Sequence, residues 1–317
     1  MTREPAGDAA RKALIDETIK ERRRAVLVIN KRSRRGKELH AEAERLLERR
    51  GIDLDDRFSS PHQRDVCGGI ADAIEAGHRL IIVGGGDGTL SAAFSHIAKT
   101  EAVLGILPCG TANSFARSLG IPVDLDAAVD VIVSGKVVDV DLGRVGDRYF
   151  STVASVGLAA KIARHMPRLL KKYLGRLAYP VVAIAQLRRF GAFQCTIVAP
   201  GQRHVVRALE VRVANAPYQG GVAVAKEAGA ESRDLVVKMT TGRSIGKLIR
   251  VWLRTTAGLS VDPEDVMVLR AERFSIDASP RQYVSVDGEA YIRTPFEASV
   301  AKQALLVMVP LDNRELS

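Results

Sequence analysis

Short apolar runs alternate with longer amphipathic segments over the first third of the chain. The apolar runs are Ala25–Ile29, Leu80–Val83 and Val103–Leu107. The segments that predict helices are Glu38–Arg50, Arg64–Ala76 and Leu90–Ala98. Short, nearly continuous apolar runs are typical of strands that are buried on both faces. Their alternation with helices predicts a parallel sheet with helices on both faces.

The pattern changes after about Lys136, where β-rich runs follow one another with turns between them. These runs are Val137–Leu142, Arg148–Ser155, Phe193–Ala199, Val205–Val213, Leu235–Thr240, Val266–Ile276 and Tyr283–Val286. They predict an antiparallel sandwich or barrel. Two predicted helical stretches interrupt them, Leu158–Gln186 and Ser244–Ala257.

This change of pattern divides the chain into two predicted domains, residues 24–138 and residues 139–302. Residues 1–23 are polar and charged, and we expect them to form a flexible, solvated extension, for which a helical conformation remains open. They lack the apolar region that a secretory signal needs. No apolar run approaches the ~18 residues of a membrane span. A cytoplasmic protein is therefore expected.

The net charge and the aromatic content narrow the classes of partner that we expect the chain to bind. A net charge of +10 favours an anionic partner such as a nucleotide, a nucleic acid or an anionic lipid. Aromatic residues make up 5% of the chain and no nucleic-acid module is visible, so nucleic acid is not expected.

Cys67, Cys109 and Cys195 show no C-x-x-C spacing, which predicts buried thiols and neither a zinc site nor a disulfide framework.

A glycine-rich segment directly follows the predicted strand at 80–83. Its residues are Gly84, Gly85, Gly86, Asp87, Gly88 and Thr89. With little side-chain bulk, the backbone amides can approach phosphate oxygens, and a following helix adds partial positive charge. Asp87 is suited to a divalent metal that bridges it to phosphate, and Thr89 can cap the helix or contact a phosphate. The alternative is a glycine turn without a ligand. No lysine follows as in a P-loop.

The same construction recurs after the next predicted strand. Pro108 marks a turn, Gly110 follows it, and a helix is predicted from about Asn113. Thr111 and Asn113 can bind phosphate or cap that helix. Ligands of open α/β sheets bind at the carboxyl ends of the strands, which favours nucleotide contact.

These two segments, G-G-G-D-G-T-L and G-I-L-P-C-G-T-A-N-S-F-A-R-S-L-G-I-P, resemble the diacylglycerol kinase catalytic-domain family, which includes soluble bacterial lipid kinases, sphingosine kinases and ceramide kinases. Tyr149–Gly157, Asn215–Gly221 and the D-G-E motif at 287–289 resemble further family segments. The resemblance implies an N-terminal parallel α/β domain like that of NAD kinase and phosphofructokinase, completed by a last strand at about 303–315. It also implies a C-terminal antiparallel β-sandwich domain and ATP-dependent, Mg²⁺-assisted phosphorylation of a lipid hydroxyl, such as that of diacylglycerol.

The resemblance implies further site residues. The family's first loop, N-P-x-S-G, corresponds to Asn30, Ser33 and Gly36, but here it lacks the proline and carries extra positive charge. Ser59 or Ser60 stands near a common nucleotide-contacting threonine. The family's acidic metal loop is reduced to Glu231 and Asp234.

Phosphoryl transfer needs a base for the proton of the acceptor hydroxyl. The candidates are Asp287 and Glu289, which would share one face of an extended segment unless Gly288 turns the chain. By resemblance Glu289 is the base, and Asp287 supports it or binds nucleotide. The alternative interpretation of D-G-E is a hairpin turn with two solvated acids.

The stretch Lys161–Arg189 is basic and contains no acidic residue, with apolar residues at helical spacing. It predicts either an element that binds an anionic membrane surface or a helix packed on the sandwich with a solvated basic face. A peripheral position at the inner face of the membrane is expected. An exposed strand edge could support a homodimer. Two alternatives remain open: an NAD kinase-like enzyme with a soluble substrate, against which the second loop and D-G-E argue, and an inactive lipid- or nucleotide-binding protein.

Overall fold

The computed structural model describes residues 6–33, 35–167, 170, 178–187, 190–225 and 227–313. Its helices are α1 (Ala6–Arg22), α2 (Gly36–Arg49), α3 (Gln63–Glu75), α4 (Asp87–Ile97), α5 (Ser114–Ser118), α6 (Leu125–Ser134), α7 (Leu158–His165), α8 (Ala178–Leu187) and α9 (Ile245–Thr256). Its strands are β1 (Arg24–Asn30), β2 (Asp53–Ser60), β3 (Leu80–Gly85), β4 (Val103–Pro108), β5 (Lys136–Val145), β6 (Arg148–Phe150), β7 (Val153–Gly157), β8 (Phe193–Ala199), β9 (Gln202–Ala214), β10 (Tyr218–Gln219), β11 (Val222–Ala223), β12 (Leu235–Thr241), β13 (Val266–Ala271), β14 (Arg273–Ser279), β15 (Tyr283–Val286), β16 (Glu289–Arg293) and β17 (Phe296–Val309).

The chain divides into two units, of which the first comprises Met1–Val140 and Gln303–Ser317. It contains a parallel series of strands in the order β17-β4-β3-β1-β2. Every residue of β3 and β4 is buried, as the continuous apolar runs predict. The end of β17 pairs with the start of β4, Leu306 opposite Val103. The predicted parallel α/β fold is therefore confirmed.

Helix α4 begins earlier than predicted. Gly86 is its N-cap, with an extended backbone, and the Gly86 carbonyl accepts the amide of Leu90 at 3.1 Å. Thr89 therefore lies inside the first turn, and the prediction that it caps the helix is wrong. A glycine at the cap position leaves the first amides of the helix uncovered by any side chain.

The segment before β1 differs from the flexible extension that its polar composition predicts. Residues 6–22 form α1, and Ile15 and Ile19 are buried at 9% and 5% exposure. The carboxylate of Asp16 accepts the amide of Val137 at 3.2 Å, and Lys12 lies 3.7 Å from Asp139. Two apolar residues four positions apart anchor this helix, which is too weak a periodic signal to predict packing.

The second unit comprises Asp141–Lys302. Antiparallel strands follow the order β16-β15-β7-β9-β8-β14, with β12 paired to β9 and β13 paired to β12. This sheet carries the main core, whose largest buried members are Phe150, Phe193, Phe274 and Phe296. The predicted antiparallel domain is confirmed, although the run Val266–Ile276 is split at Glu272 into β13 and β14.

Helices α7, α8 and α9 pack on a second cluster in this unit. The cluster contains Leu158, Ile162, Val182, Ala183, Phe190, Leu209 and Leu248. Ile162 is therefore a core residue, so this part of the predicted membrane stretch Lys161–Arg189 faces inward. Much of that stretch (168, 169, 171–177, 188 and 189) lies outside the described residues. Within the described chain, no helix is long and apolar enough to cross a membrane.

Candidate active site

Loops after three neighbouring strands meet at the carboxyl edge of the parallel sheet. They follow β1, β3 and β4, which are adjacent in the sheet. The amide of Cys109 donates to the carbonyl of Gly85 at 2.9 Å, and the amide of Arg35 donates to the carbonyl of Cys109 at 3.2 Å. The loop after β1 (the basic loop), the loop at 84–88 after β3 (the glycine loop) and the loop at 109–113 after β4 (the threonine loop) therefore form one hydrogen-bonded cluster, as their positions after parallel strands predict.

The glycine and threonine loops approach each other backbone to backbone. A Cβ added to Gly110 would lie 2.6 Å from the Cα of Gly86, and one added to Gly86 would lie 3.0 Å from the Cα of Gly110. Asn113 has a left-handed backbone with φ of 49° and is buried. Its Oδ1 accepts the amide of Gly110 at 2.9 Å, and its Nδ2 donates to the carbonyl of Gly110 at 3.2 Å. Asn113 thus fixes the loop, on which Thr111 is exposed.

Asn30 and Thr89 connect the loop after β1 to helix α4. The Nδ2 of Asn30 donates to the Oγ1 of Thr89 at 2.9 Å, and both residues are buried. The Oδ1 of Asn30 accepts the amide of Arg32 at 2.9 Å. These predicted nucleotide-binding residues therefore also hold the shape of the site.

The loop after β1 closes on itself although it lacks the proline of the family pattern. The amide of Ser33 donates to the carbonyl of Asn30 at 3.0 Å, and the amide of Gly36 donates to the carbonyl of Ser33 at 3.1 Å. A side chain at position 36 would collide with the carbonyl of Asn30, so glycine is required there. Ser59 is half-buried beside Ile29, near the end of β2.

Asp87 is the first residue of α4, where the exposed amides of a helix terminus carry partial positive charge. Its Oδ1 accepts the amide of Phe115 at 3.1 Å, which connects α4 to α5. The rings of Phe94 and Phe115 pack edge to face at 5.3 Å below this contact. Glycine amides, a helix N-terminus and one carboxylate are the groups that bind phosphate and a bridging divalent cation.

The D-G-E motif forms a hairpin turn in the second unit. Asp287 and Gly288 have φ values of 47° and 83°, and they connect β15 to β16 in the manner of a type I′ turn. Gly288 therefore turns the chain, and the two acids do not share one face of an extended segment. The alternative of a hairpin turn is confirmed, although Asp287 is not a solvated acid. The carboxylate of Asp287 accepts the amides of Ser151 and Thr152, both at 3.0 Å, and the Thr152 hydroxyl at 2.7 Å.

Glu289 has different surroundings from Asp287. Its side chain is 52% exposed, and it forms an ion pair with the guanidinium of Arg148 at 3.6 Å. That guanidinium also lies over the ring of Tyr291, 4.9 Å from its centre. Of the two acids, Glu289 is the more exposed. Arg148 was not predicted, because it is far from Glu289 in sequence and only the tertiary structure brings the two side chains together.

Comparisons with known proteins agree with this geometry. The diacylglycerol kinase catalytic domain matches residues 24–145, and the YegS C-terminal NAD kinase beta sandwich-like domain matches residues 152–309. A diacylglycerol kinase of Mycobacterium tuberculosis is 30% identical over 249 residues, which cover 76% of this chain and 80% of that protein. The chain belongs to the diacylglycerol kinase catalytic-domain family. It is therefore a kinase of the lipid kinase class.

Other relatives of this diacylglycerol kinase family member extend the comparison. A Klebsiella pneumoniae protein named "Probable lipid kinase YegS-like" is 29% identical over 91% of this chain and 96% of its own. An uncharacterised Synechocystis protein is 33% identical over 75% of this chain, which spans about half, 56%, of that longer protein. A solved Bacillus anthracis diacylglycerol kinase structure shares the fold, with a TM-score of 0.71 and 19% identity over 90% of this chain and 96% of that one.

The acidic loop does not gather a full set of metal ligands in the described chain. Asp234 lies 3.5 Å from Arg270, and no group of three or more His, Cys, Asp or Glu side chains occurs among the described residues. The Oδ1 of Asp234 is buried without a hydrogen-bond partner, which is compatible with a cation nearby. Metal binding by Glu231 and Asp234 stays a prediction.

Asn215, in the family's N-x-x-x-x-G-G segment, holds the backbone of Ser151 and Thr152, the two residues that donate hydrogen bonds to Asp287. It is fully buried, and its Nδ2 donates to the carbonyls of Asp141 at 2.8 Å and Ser151 at 3.3 Å. The backbone amide of Asn215 donates to the carbonyl of Thr152 at 2.8 Å. The family motifs at 149–157, 215–221 and 287–289 are thus far apart in sequence but share one hydrogen-bond network.

Replacing Asp287 by alanine is expected to lower the free energy of unfolding by about 2–3 kcal/mol, because the buried donors of Ser151 and Thr152 lose a charged acceptor. Urea denaturation measures the change. Glu289→Ala is the control and should stay within about 0.5 kcal/mol, since its side chain is exposed. Equal stability of both variants would show that the Asp287 contacts contribute little.

The cysteines are expected to differ in reactivity with iodoacetamide at neutral pH. Burial raises the pKa of the Cys109 thiol to about 11 and that of Cys195 to about 12. Burial also raises the pKa of half-buried Cys67, but its side chain is more accessible. Because the thiolate is the reactive form, mass spectrometry should find Cys67 modified first and the others only after unfolding. Rapid labelling of Cys109 would mean that the loop after β4 opens.

Proposed function

We propose that the protein transfers the γ-phosphoryl group of ATP to the hydroxyl of a membrane lipid, diacylglycerol or a related long-chain alcohol. The observation that carries this proposal is the close approach of Gly86 and Gly110 at the N-terminus of α4. This arrangement supports phosphate binding because two sets of backbone amides converge where the helix carries partial positive charge.

ATP is proposed to bind with its phosphates against the glycine loop 84–88 and the exposed hydroxyl of Thr111. Asn30, Thr89 and Asn113 contribute by holding these loops in position, as their hydrogen bonds support. The basic residues Lys31, Arg32, Arg35 and Lys37 add attraction for the triphosphate. Mg²⁺ would be held by Asp87 together with phosphate oxygens, where it would neutralise charge on the transferred group.

Glu289 is proposed as the general base. Its carboxylate takes the proton of the acceptor hydroxyl as the new oxygen–phosphorus bond forms and the bond to the leaving ADP breaks. Exposure of Glu289 supports this role, whereas the oxygens of Asp287 accept hydrogen bonds from the backbone. Asp287 is then a positioning residue that fixes the turn preceding Glu289.

The test incubates the purified protein with γ-labelled ATP, Mg²⁺ and lipids in mixed micelles. Diacylglycerol, ceramide, a sphingoid base and a glycolipid are supplied singly, and NAD is supplied in a separate reaction. We expect label in a lipid, with none in NAD. Label in NAD alone would favour an NAD kinase-like enzyme, and ATP binding without any product would favour an inactive binding protein.

A further inference from the structure

Large apolar side chains are concentrated on the outer surfaces of α8 and α9. In the described chain, the exposed large apolar residues are Leu14, Val181, Ile184, Val198, Val205, Ile249, Leu253, Leu259, Val268 and Leu311. Val181 and Ile184 lie on α8, Ile249 and Leu253 lie on α9, and Leu259 follows α9. Half of the exposed set therefore belongs to this one region, which we call the α8–α9 face.

Both helices are anchored to the same core cluster of the second unit. Val182 and Ala183 of α8 and Leu248 of α9 are buried in that cluster, and Trp252 packs against it. The indole of Trp252 donates to buried Glu210 at 2.8 Å. The apolar residues of the α8–α9 face are thus additional to those that hold the helices in place.

The outer side of α9 differs from an ordinary solvated helix surface. Ile249 and Leu253 are 40% and 66% exposed, one helical turn apart. A surface helix normally directs its apolar residues to the core, and α9 already does so with Leu248 and Val251. Packing within the second unit therefore does not explain why α9 carries aliphatic side chains at Ile249 and Leu253.

The charged residues of these two helices are all basic. Neither α8 nor α9 contains an acidic residue, and Arg243, Arg250 and Arg254 are exposed on or beside α9. The nearest acids in sequence, Asp262, Glu264 and Asp265, follow α9, and Asp265 forms an ion pair with Lys247 at 2.9 Å. Exposed aliphatic residues flanked by arginines match the interface of a bilayer that contains anionic lipids.

We propose that the α8–α9 face docks the protein on an anionic lipid bilayer, with its aliphatic side chains in the acyl region and Arg250 and Arg254 among the headgroups. The inference deepens the proposed function, since a lipid acceptor requires contact with a bilayer. It remains separately testable, because docking needs neither ATP nor transfer of phosphate.

The test measures cosedimentation of the full chain with vesicles of phosphatidylcholine, with or without an equal share of phosphatidylglycerol, in the absence of ATP. Ile249→Glu with Leu253→Glu should weaken binding to the mixed vesicles at least ~10-fold, because two apolar contacts become charged. Arg250→Glu with Arg254→Glu should weaken binding to the mixed vesicles by a similar factor of ~10 and leave the weak binding to phosphatidylcholine unchanged.

The matched control is Val198→Glu with Val205→Glu, two exposed valines at 42% and 52% on the β8–β9 hairpin. It should bind within about twofold of wild type. Undiminished binding by the α9 variants, or an equal loss in the control, would overturn the proposal. So would a wild-type dimer in light scattering that Ile249→Glu with Leu253→Glu dissociates, because the face would then join two copies of the chain.

Activity on a short-chain, water-soluble diacylglycerol separates this proposal from the kinase proposal. The docking variants should phosphorylate that acceptor at the wild-type rate and lose activity only on vesicles. Vesicle binding by a wild-type protein that phosphorylates nothing would leave docking intact and remove the kinase proposal. Phosphorylation of the soluble acceptor by a wild-type protein that binds no vesicles would support the kinase proposal and remove the docking proposal.

Discussion

Replacing Gly110 by alanine is expected to lower kcat/KM for ATP at least ~100-fold, since small misplacements of binding groups can cost that much. The added Cβ would lie 2.6 Å from the Cα of Gly86 and 2.7 Å from the Oδ1 of Asn113. Neither neighbour can rotate away, because one is backbone and the other is held by hydrogen bonds to Gly110. The threonine loop must therefore shift away from the glycine loop.

Steady-state kinetics and titration with a fluorescent ATP analogue measure the effect of Gly110→Ala. The matched control is Gly68→Ala in α3, where no heavy atom lies within 4 Å of the added Cβ. The control should retain wild-type kinetics and gain slightly in helix stability, because alanine is the better helix former. If Gly110→Ala binds ATP with wild-type affinity, the paired glycine loops are not the phosphate site.

Replacing Glu289 by glutamine is expected to lower kcat on the lipid acceptor by ~10²–10⁴-fold, the range that general base catalysis supplies. ATP affinity and thermal stability should not change, because the side chain is exposed and contacts only Arg148 among the described ion pairs. The amide retains the shape of the carboxylate but cannot take the proton. The loss should therefore fall on kcat and not on the affinity for ATP.

The control for Glu289→Gln is Glu297→Gln, an exposed glutamate on β17 in the same part of the chain. It should keep wild-type kcat. A pre-steady-state measurement of the transfer step ensures that product release does not hide the effect. Wild-type transfer by the Glu289→Gln variant would exclude this carboxylate as the base and leave the acceptor proton to another group.

Local patterns predicted the parts of the fold that depend on neighbours in sequence. The buried runs of β1, β3 and β4 are read from continuous apolar residues, and the breaks at Gly51 and Gly77 have the left-handed φ values of 81° and 82° that favour glycine. The N-terminal helix α1 shows the limit of this approach. Its burial depends on contacts with Val137 and Asp139, more than a hundred residues further along the chain.

The same division applies to the candidate site. The glycine loop, the threonine loop and the D-G-E motif could be recognised without a structure, because their chemistry lies within short contiguous segments. The close approach of Gly86 to Gly110 and the hydrogen bond from Asn30 to Thr89 became visible in the tertiary structure alone. The same holds for the hydrogen bonds that the segment 151–153 donates to Asp287, and for the exposure of Glu289. These roles depend on which backbone amides and carbonyls lie within hydrogen-bond distance, and strand pairing and turn geometry decide that, not residue type.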